Sequence, residues 1–147
     1  MSDGSVKQTL NSHDGWLRDI LVLENNKIVN ADQDFSINIW DLSDGSIKKK
    51  LTGHTDAISA LVLLKNGSIA SGSFDTTIKI WNIQDGTLKR TLTGHTGTIW
   101  ALVVLNDGDL VSGSLDKAIQ IWDVDSGVVV KTLTGHKSGI NNLILHP

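Results

Sequence analysis

The sequence predicts an all-β protein of short antiparallel strands grouped in repeated four-stranded units, and three observations carry that expectation. Trp40, Trp81 and Trp122 stand 41 residues apart, and the same period links His13, His54, His95 and His136, Asp34, Asp75 and Asp116, and Gly4, Gly45, Gly86 and Gly127. Residues 53–93 align with 94–134 without a gap and match at 20 of 41 positions, so repeats take precedence over the single domain that 147 residues would suggest. Apolar residues alternate over short runs bounded by Gly, Asn and Asp, and no stretch keeps a helical apolar period, so almost no helix is expected.

The elements follow in chain order. Val6 to Leu10 aligns with Ile47 to Leu51, Leu88 to Leu92 and Val129 to Leu133, the last strand of each unit, so residues 3–12 are expected to form the outer strand of an incomplete unit. Three complete units cover 13–52, 53–93 and 94–134. In the middle one, Ala57 to Leu64 is an apolar strand, and Asn66-Gly67 is a tight hairpin turn. Ser68 to Phe74 is a second strand of small residues that ends at the turn through Asp75-Thr76. Ile78-Lys79-Ile80-Trp81 alternates as a third strand, and Leu88 to Leu92 follows the Asp85-Gly86 turn as the fourth. Residues 135–147 carry the first strand of a further incomplete unit, over Gly139 to Leu145.

Gly53-His54, Gly94-His95 and Gly135-His136 precede the first strand of their units, with Ser12-His13 as a degenerate copy. Trp40-Asp41 and Trp122-Asp123 close the third strand, Trp81-Asn82 being a variant, and each His precedes its Trp by 27 residues. This pattern resembles the WD-repeat family of β-propellers, from Asp3 to the end of the chain. The resemblance implies a propeller segment of three complete four-stranded blades with flanking half-blade strands, and no cofactor.

Composition excludes several function classes. With no Cys there is no disulfide framework, thiolate metal site or Cys nucleophile. Thirteen Lys+Arg stand against 16 Asp+Glu, so nothing suggests a nucleic-acid footprint. Apolar runs reach five residues, far short of the ~20 that span a bilayer, and Met1 to Ser5 carries no basic or apolar segment. The expectation is a soluble protein of the cytoplasm or nucleus, without nucleic-acid or membrane partners. The repeat histidines lack the H-x3–5-H spacing of a zinc site, so no metal is expected. Asp123 to Gly127 lacks the later ligands of a calcium loop and reads as a hairpin turn. Asn66-Gly67-Ser68 is a formal glycosylation acceptor, unused inside a cell, and Lys48-Lys49-Lys50 reads as a solvated or edge-protecting face.

The resemblance also implies a hydrogen-bonded tetrad in each blade. It falls on His54, Ser71, Asp75 and Trp81 in the second blade and on His95, Ser112, Asp116 and Trp122 in the third. The first blade has His13, Asp34 and Trp40, with Asn30 in place of Ser, which predicts a modified network because an amide both donates and accepts. Ser, His and Asp together also suggest a hydrolytic triad. Repetition at one period and the lack of a G-x-S-x-G elbow weigh against that reading, and a structural network explains the repetition directly.

Propellers of this family usually bind partners on the top face, near the central channel. The positions concerned are Trp16 and Arg18, Ala57 and Ser59, and Thr98 and Trp100 at the start of the innermost strands, and Gln33, Phe74 and Leu115 before the turn Asp. These vary between blades while the tetrad positions barely change, and Trp and Arg at an exposed concave site are typical anchors. The expected function is a non-catalytic scaffold for a protein or peptide partner. The length adds another expectation: the chain is part of a larger propeller, commonly seven-bladed, or associates with further copies to complete one. An open array that is stable alone is the third reading.

Overall fold

The computed structural model describes residues 5–6, 8–10, 17–32 and 34–145. Among them are twelve strands and no helix, in three four-stranded antiparallel sheets, each a meander in chain order. The first sheet holds β1 (Ile20–Leu23), β2 (Lys27–Ala31), β3 (Ile37–Asp41) and β4 (Ser46–Leu51). The second holds β5 (Ile58–Leu63), β6 (Ile69–Ser73), β7 (Ile78–Trp81) and β8 (Leu88–Leu92). The third holds β9 (Ile99–Val104), β10 (Leu110–Ser114), β11 (Ile119–Asp123) and β12 (Val128–Leu133).

The turns explain why the meander repeats so closely. Gly45, Gly86 and Gly127, in the turn before each fourth strand, take φ of +70°, +79° and +75°, the left-handed region that glycine enters without steric cost. The turn between second and third strands instead forces Phe35, Thr76 and Lys117 to φ of +66°, +70° and +73°. Each third strand also shifts register against the fourth just before its Trp.

Stacking of the sheets buries two continuous cores. Between the first and second sheets lie Val29, Ile37, Leu51, Ile58 and Trp81, and between the second and third lie Ile78, Leu92, Ile99, Leu110 and Trp122. The second strand of each sheet must be small to let the next inner strand approach: a Cβ on Gly72 would stand 2.7 Å from Ile99 Cγ2, and one on Gly113 would stand 2.5 Å from Ile140 Cγ2. Backbone ladders within sheets and apolar burial between them therefore share the work of holding the fold.

Among the described residues, neither expected flanking strand is paired in a ladder. The described residues of 5–10 carry no ladder, although the Gln8 side-chain amide lies against the Gly45 turn, 3.0 Å from the Leu42 carbonyl oxygen and 3.2 Å from the Gly45 nitrogen. That puts Gln8 beside the Gly45 turn as Lys49 lies beside Gly86 and Arg90 beside Gly127. Gly139 to Leu145 is likewise not a strand, yet Ile140 N–H donates to the Ser114 carbonyl at 2.9 Å and its side chain fills the hollow over Gly113. Both segments occupy the places of neighbouring-blade strands, but among the described residues no second strand runs beside them, and a ladder needs one.

Candidate functional site

Two constellations draw on side chains the repeat singles out. The first lies inside the second and third sheets. His54 Nδ1 is 2.7 Å from Asp75 Oδ2, His54 Nε2 is 2.8 Å from Ser71 Oγ, and the Trp81 indole N–H donates to the same hydroxyl at 2.8 Å. In the third sheet the distances are 2.8 Å for His95 to Asp116, 2.7 Å for His95 to Ser112 and 2.8 Å for Trp122 to Ser112. Three donors and acceptors are all satisfied when Nδ1–H donates to the carboxylate, Ser O–H donates to Nε2, and Trp N–H donates to Ser. The sequence does this locally by putting Ser on the second strand opposite the third, ten residues before the Trp.

Electrostatics fit that proton arrangement. Burial pushes the His54 imidazole below its ordinary value, more strongly than Asp75 pulls it up, so the ring is neutral. Burial alone would raise Asp75, but hydrogen bonds from Thr77, His54 and the Thr55 amide outweigh it and lower the carboxyl to about 2. Asp116 is lowered too, burial being outweighed by the Thr96 and Ala118 amides and His95. The triad-like geometry has no access: Ser71 and Ser112 are fully buried and their oxygens already accept the indole N–H, so no carbonyl can reach them.

The first sheet is built differently. Trp40 N–H donates to Asn30 Oδ1 at 2.5 Å, and the Asn30 amide donates to Asp32 Oδ1 at 3.1 Å. Asp32 also accepts from Asn38 at 2.5 Å and is buried, whereas Asp34 is 53% exposed and takes Lys50 (2.6 Å) and Ser36. Lys50 and Ser36 hold the Asp34 carboxyl below the usual range. The buried carboxylate of this blade is thus Asp32, because an amide at position 30 has a proton to donate where a Ser would not reach. Sequence reasoning missed Asp32 and Asn38; the signal was three polar departures from the repeat on one patch, at positions held elsewhere by Ser71, Ser73 and Lys79. His13 lies outside the described residues.

The second constellation is at the start of the inner strands. Arg18, preceding β1, sets its guanidinium carbon 5.1 Å from the centroid of Phe74, in the β6–β7 turn of the next sheet. Phe74 packs edge-to-face on Trp100 of β9, with centroids 4.9 Å apart and planes at 62°. One residue from each of three sheets therefore meets at one place. Leu115 is 54% exposed, and its N–H donates to the Thr98 carbonyl at 2.8 Å. Ser59 is drawn away from solvent, its hydroxyl donating to the carbonyls of Gly72 and Ile99. Trp16 and Gln33 lie outside the described residues.

A cleft of about 350 Å³ between the second and third sheets is lined by Lys65, Asp107, Asp109, Asp123 and Asp125. Asp107 and Asp123 accept turn amides, so Asp123 to Gly127 is a hairpin turn. Among the described residues no group of three His, Asp or Glu side chains could hold a metal ion.

Comparison with known proteins agrees with this architecture. The family model described as WD domain, G-beta repeat matches residues 45–82 and 86–123. No curated protein sequence matches the chain. Among solved structures, that of U3-55K superposes with a TM-score of 0.85 at 25% identity, over 92% of this chain and 44% of that one. The WD40 β-propeller domain of Doa1 gives 0.82 at 27%, over 90% and 45%, and the WD40 repeats of RRP9 give 0.85 at 25%, over 92% and 43%. The chain thus spans less than half the length of these structures, and its three sheets correspond to part of a propeller.

Proposed function

The chain belongs to the WD40 family, and we propose that it is a non-catalytic scaffold that binds a protein or peptide partner through the surface of Arg18, Phe74 and Trp100. The observation that carries this reading is the convergence of three large side chains from three sheets at one place, Arg18 exposed and both rings half-buried. Aromatic and Arg side chains at such a place are the residue types that dominate binding energy. Burial of both Ser–His–Asp sets supports the non-catalytic part, since a nucleophile needs an open approach. Quantitative pull-downs with wild type, Trp100→Ala and Phe74→Ala test it. Partners lost by the variants at unchanged melting temperature support the surface, and equal recovery refutes it.

A second reading rests on the ends of the stack. Ile20 and Val22 of β1 are 50% and 73% exposed, and Val128 and Val130 of β12 are 59% and 60% exposed. Apolar strands left open in this way invite further blades, from more chain or from other copies. Sedimentation velocity decides it for the isolated chain: a monomer across the accessible concentrations refutes self-assembly.

A further inference from the structure

The surface around Arg18 is unusual in what it leaves unsatisfied. A half-buried aromatic pair ordinarily offers its accessible ring face to a cation of the ligand. Here the protein supplies that cation itself, with Arg18 covering Phe74 at 5.1 Å. Arg18 is exposed, and among the described residues no carboxylate lies within ion-pair distance of it. Its neighbour Asp19 is turned into the sheets, accepting Ile20 N–H at 2.8 Å and Leu61 N–H at 2.7 Å. The half-buried Trp100 indole N–H also has no acceptor among the described residues, and the Ser59 hydroxyl is spent on backbone carbonyls.

Among the described residues the site therefore presents donors without side-chain acceptors: a guanidinium 5.1 Å from the centroid of Phe74, and the indole N–H of Trp100, whose ring packs on the same Phe74. Contact with the ring removes part of the side-chain freedom that a ligand would otherwise have to freeze. Resting on the partner-binding reading above, we propose that the partner's docking segment is an acidic peptide, with an Asp or Glu carboxylate on the Arg18 fork and an adjacent apolar side chain against Trp100. A carboxylate suits the site because its two oxygens match one planar fork. The other arginine of the sequence, Arg90, is committed at the far rim to the carbonyls of Asp125 and Ser126, so no second guanidinium assists. The chain's net charge of −3 provides no long-range attraction for an acid, which confines the preference to this contact.

Fluorescence anisotropy with labelled nonapeptide pools tests the assignment, each pool degenerate except for a central Leu-Glu, Leu-Gln, Leu-Lys or Leu-phosphoserine. The Glu pool is expected to bind wild type about tenfold more tightly than the Gln pool, as a charge-assisted hydrogen bond allows. Arg18→Gln should bring that ratio to about one. Equal binding of Glu and Gln pools, a ratio that survives Arg18→Gln, or tighter binding of the Lys or phosphoserine pool overturns the acidic assignment and leaves the surface itself standing. Failure of every pool to bind, or binding unchanged by Trp100→Ala, overturns the surface and the acidic assignment together.

Discussion

Asp75→Ala removes the acceptor of four hydrogen bonds at once, from His54 Nδ1 at 2.7 Å, the Thr55 amide at 3.1 Å, the Thr77 amide at 2.9 Å and the Thr77 hydroxyl at 2.7 Å. They do not weigh equally. The Thr55 and Thr77 groups can turn to water, but the His54 side chain is 0% exposed and its Nδ1–H would be orphaned. Moving the proton to Nε2 gives little relief. Ser71 Oγ already accepts from Trp81, and its own O–H would then have only the Lys79 carbonyl, 3.4 Å away. Losing the charge-assisted bond costs ~1.5–3 kcal/mol and the solvent-facing bonds add a few tenths each, about 3 kcal/mol in all. At roughly 3 °C per kcal/mol for a chain of this size, the melting temperature should fall by about 9 °C. Asp116→Ala should cost slightly less, because Ala118 stands where Thr77 supplies a hydroxyl and Asp116 accepts from His95, Thr96 and Ala118 only. Thermal melts followed by circular dichroism and Trp fluorescence measure both. A drop of less than about 2 °C for Asp75→Ala would refute the claim that the carboxylate anchors a buried network.

Acid should weaken the fold in two windows. His54 lies below its ordinary 6.5 in the fold, so the unfolded chain binds the proton first and stability falls as pH drops through that value; Asp75 is held near 2 against 3.8, so its contribution, present above about 4, is lost between there and 2. Urea melts that are flat from pH 7 to 5 would contradict the first window. Thr76→Asn should stabilise by about 1 kcal/mol, because a β-branched residue at φ +70° is strained and Asn is not; a lower urea midpoint would count against it. Gly72→Ala should destabilise by ~1–3 kcal/mol by pressing on Ile99, and an unchanged midpoint would show that the second and third sheets yield freely. Asn30→Ser alone should cost ~1–3 kcal/mol by taking a donor from buried Asp32, whereas N30S/D32S/N38Q, which copies Ser112, Ser114 and Gln120, should cost less; a triple variant weaker than the single one would sink the idea of a coupled set.

Strand order and turn positions were legible in the sequence because each blade repeats the same local problem: an alternating strand, a turn that needs a positive φ, and a Trp that must find an acceptor. Asp75 and Ser71 stand at fixed distances from Trp81, and antiparallel register does the rest. The flanking strands expected within 3–12 and 135–147 carry no ladder among the described residues, for a related reason. Repeat alignment reports where a side chain belongs, so it located Gln8 beside Gly45 and Ile140 over Gly113, but a strand also depends on a neighbour that the alignment does not supply. The resemblance puts Arg18, Phe74 and Trp100 in one set on the top face, but their mutual contact was not legible, since it depends on how far each sheet is rotated and displaced against the next.

The two constellations differ in a way that bears on function. Within the Ser–His–Asp–Trp sets, the polar groups the sequence repeats bond one another in the sheet interior. Two donors without a partner among the described residues stand where the repeat is broken: the Arg18 guanidinium, where the later blades have Ser59 and Trp100, and the Trp100 N–H itself. A stabilising contact can be copied from blade to blade, since each blade needs it equally. A ligand breaks that equivalence, because it touches each blade at a different point of its own surface. On the proposed reading, the departures that leave donors without a described partner are where a ligand would bind, whereas the departure at Asn30, Asp32 and Asn38 is buried and ties the second and third strands of its own sheet together.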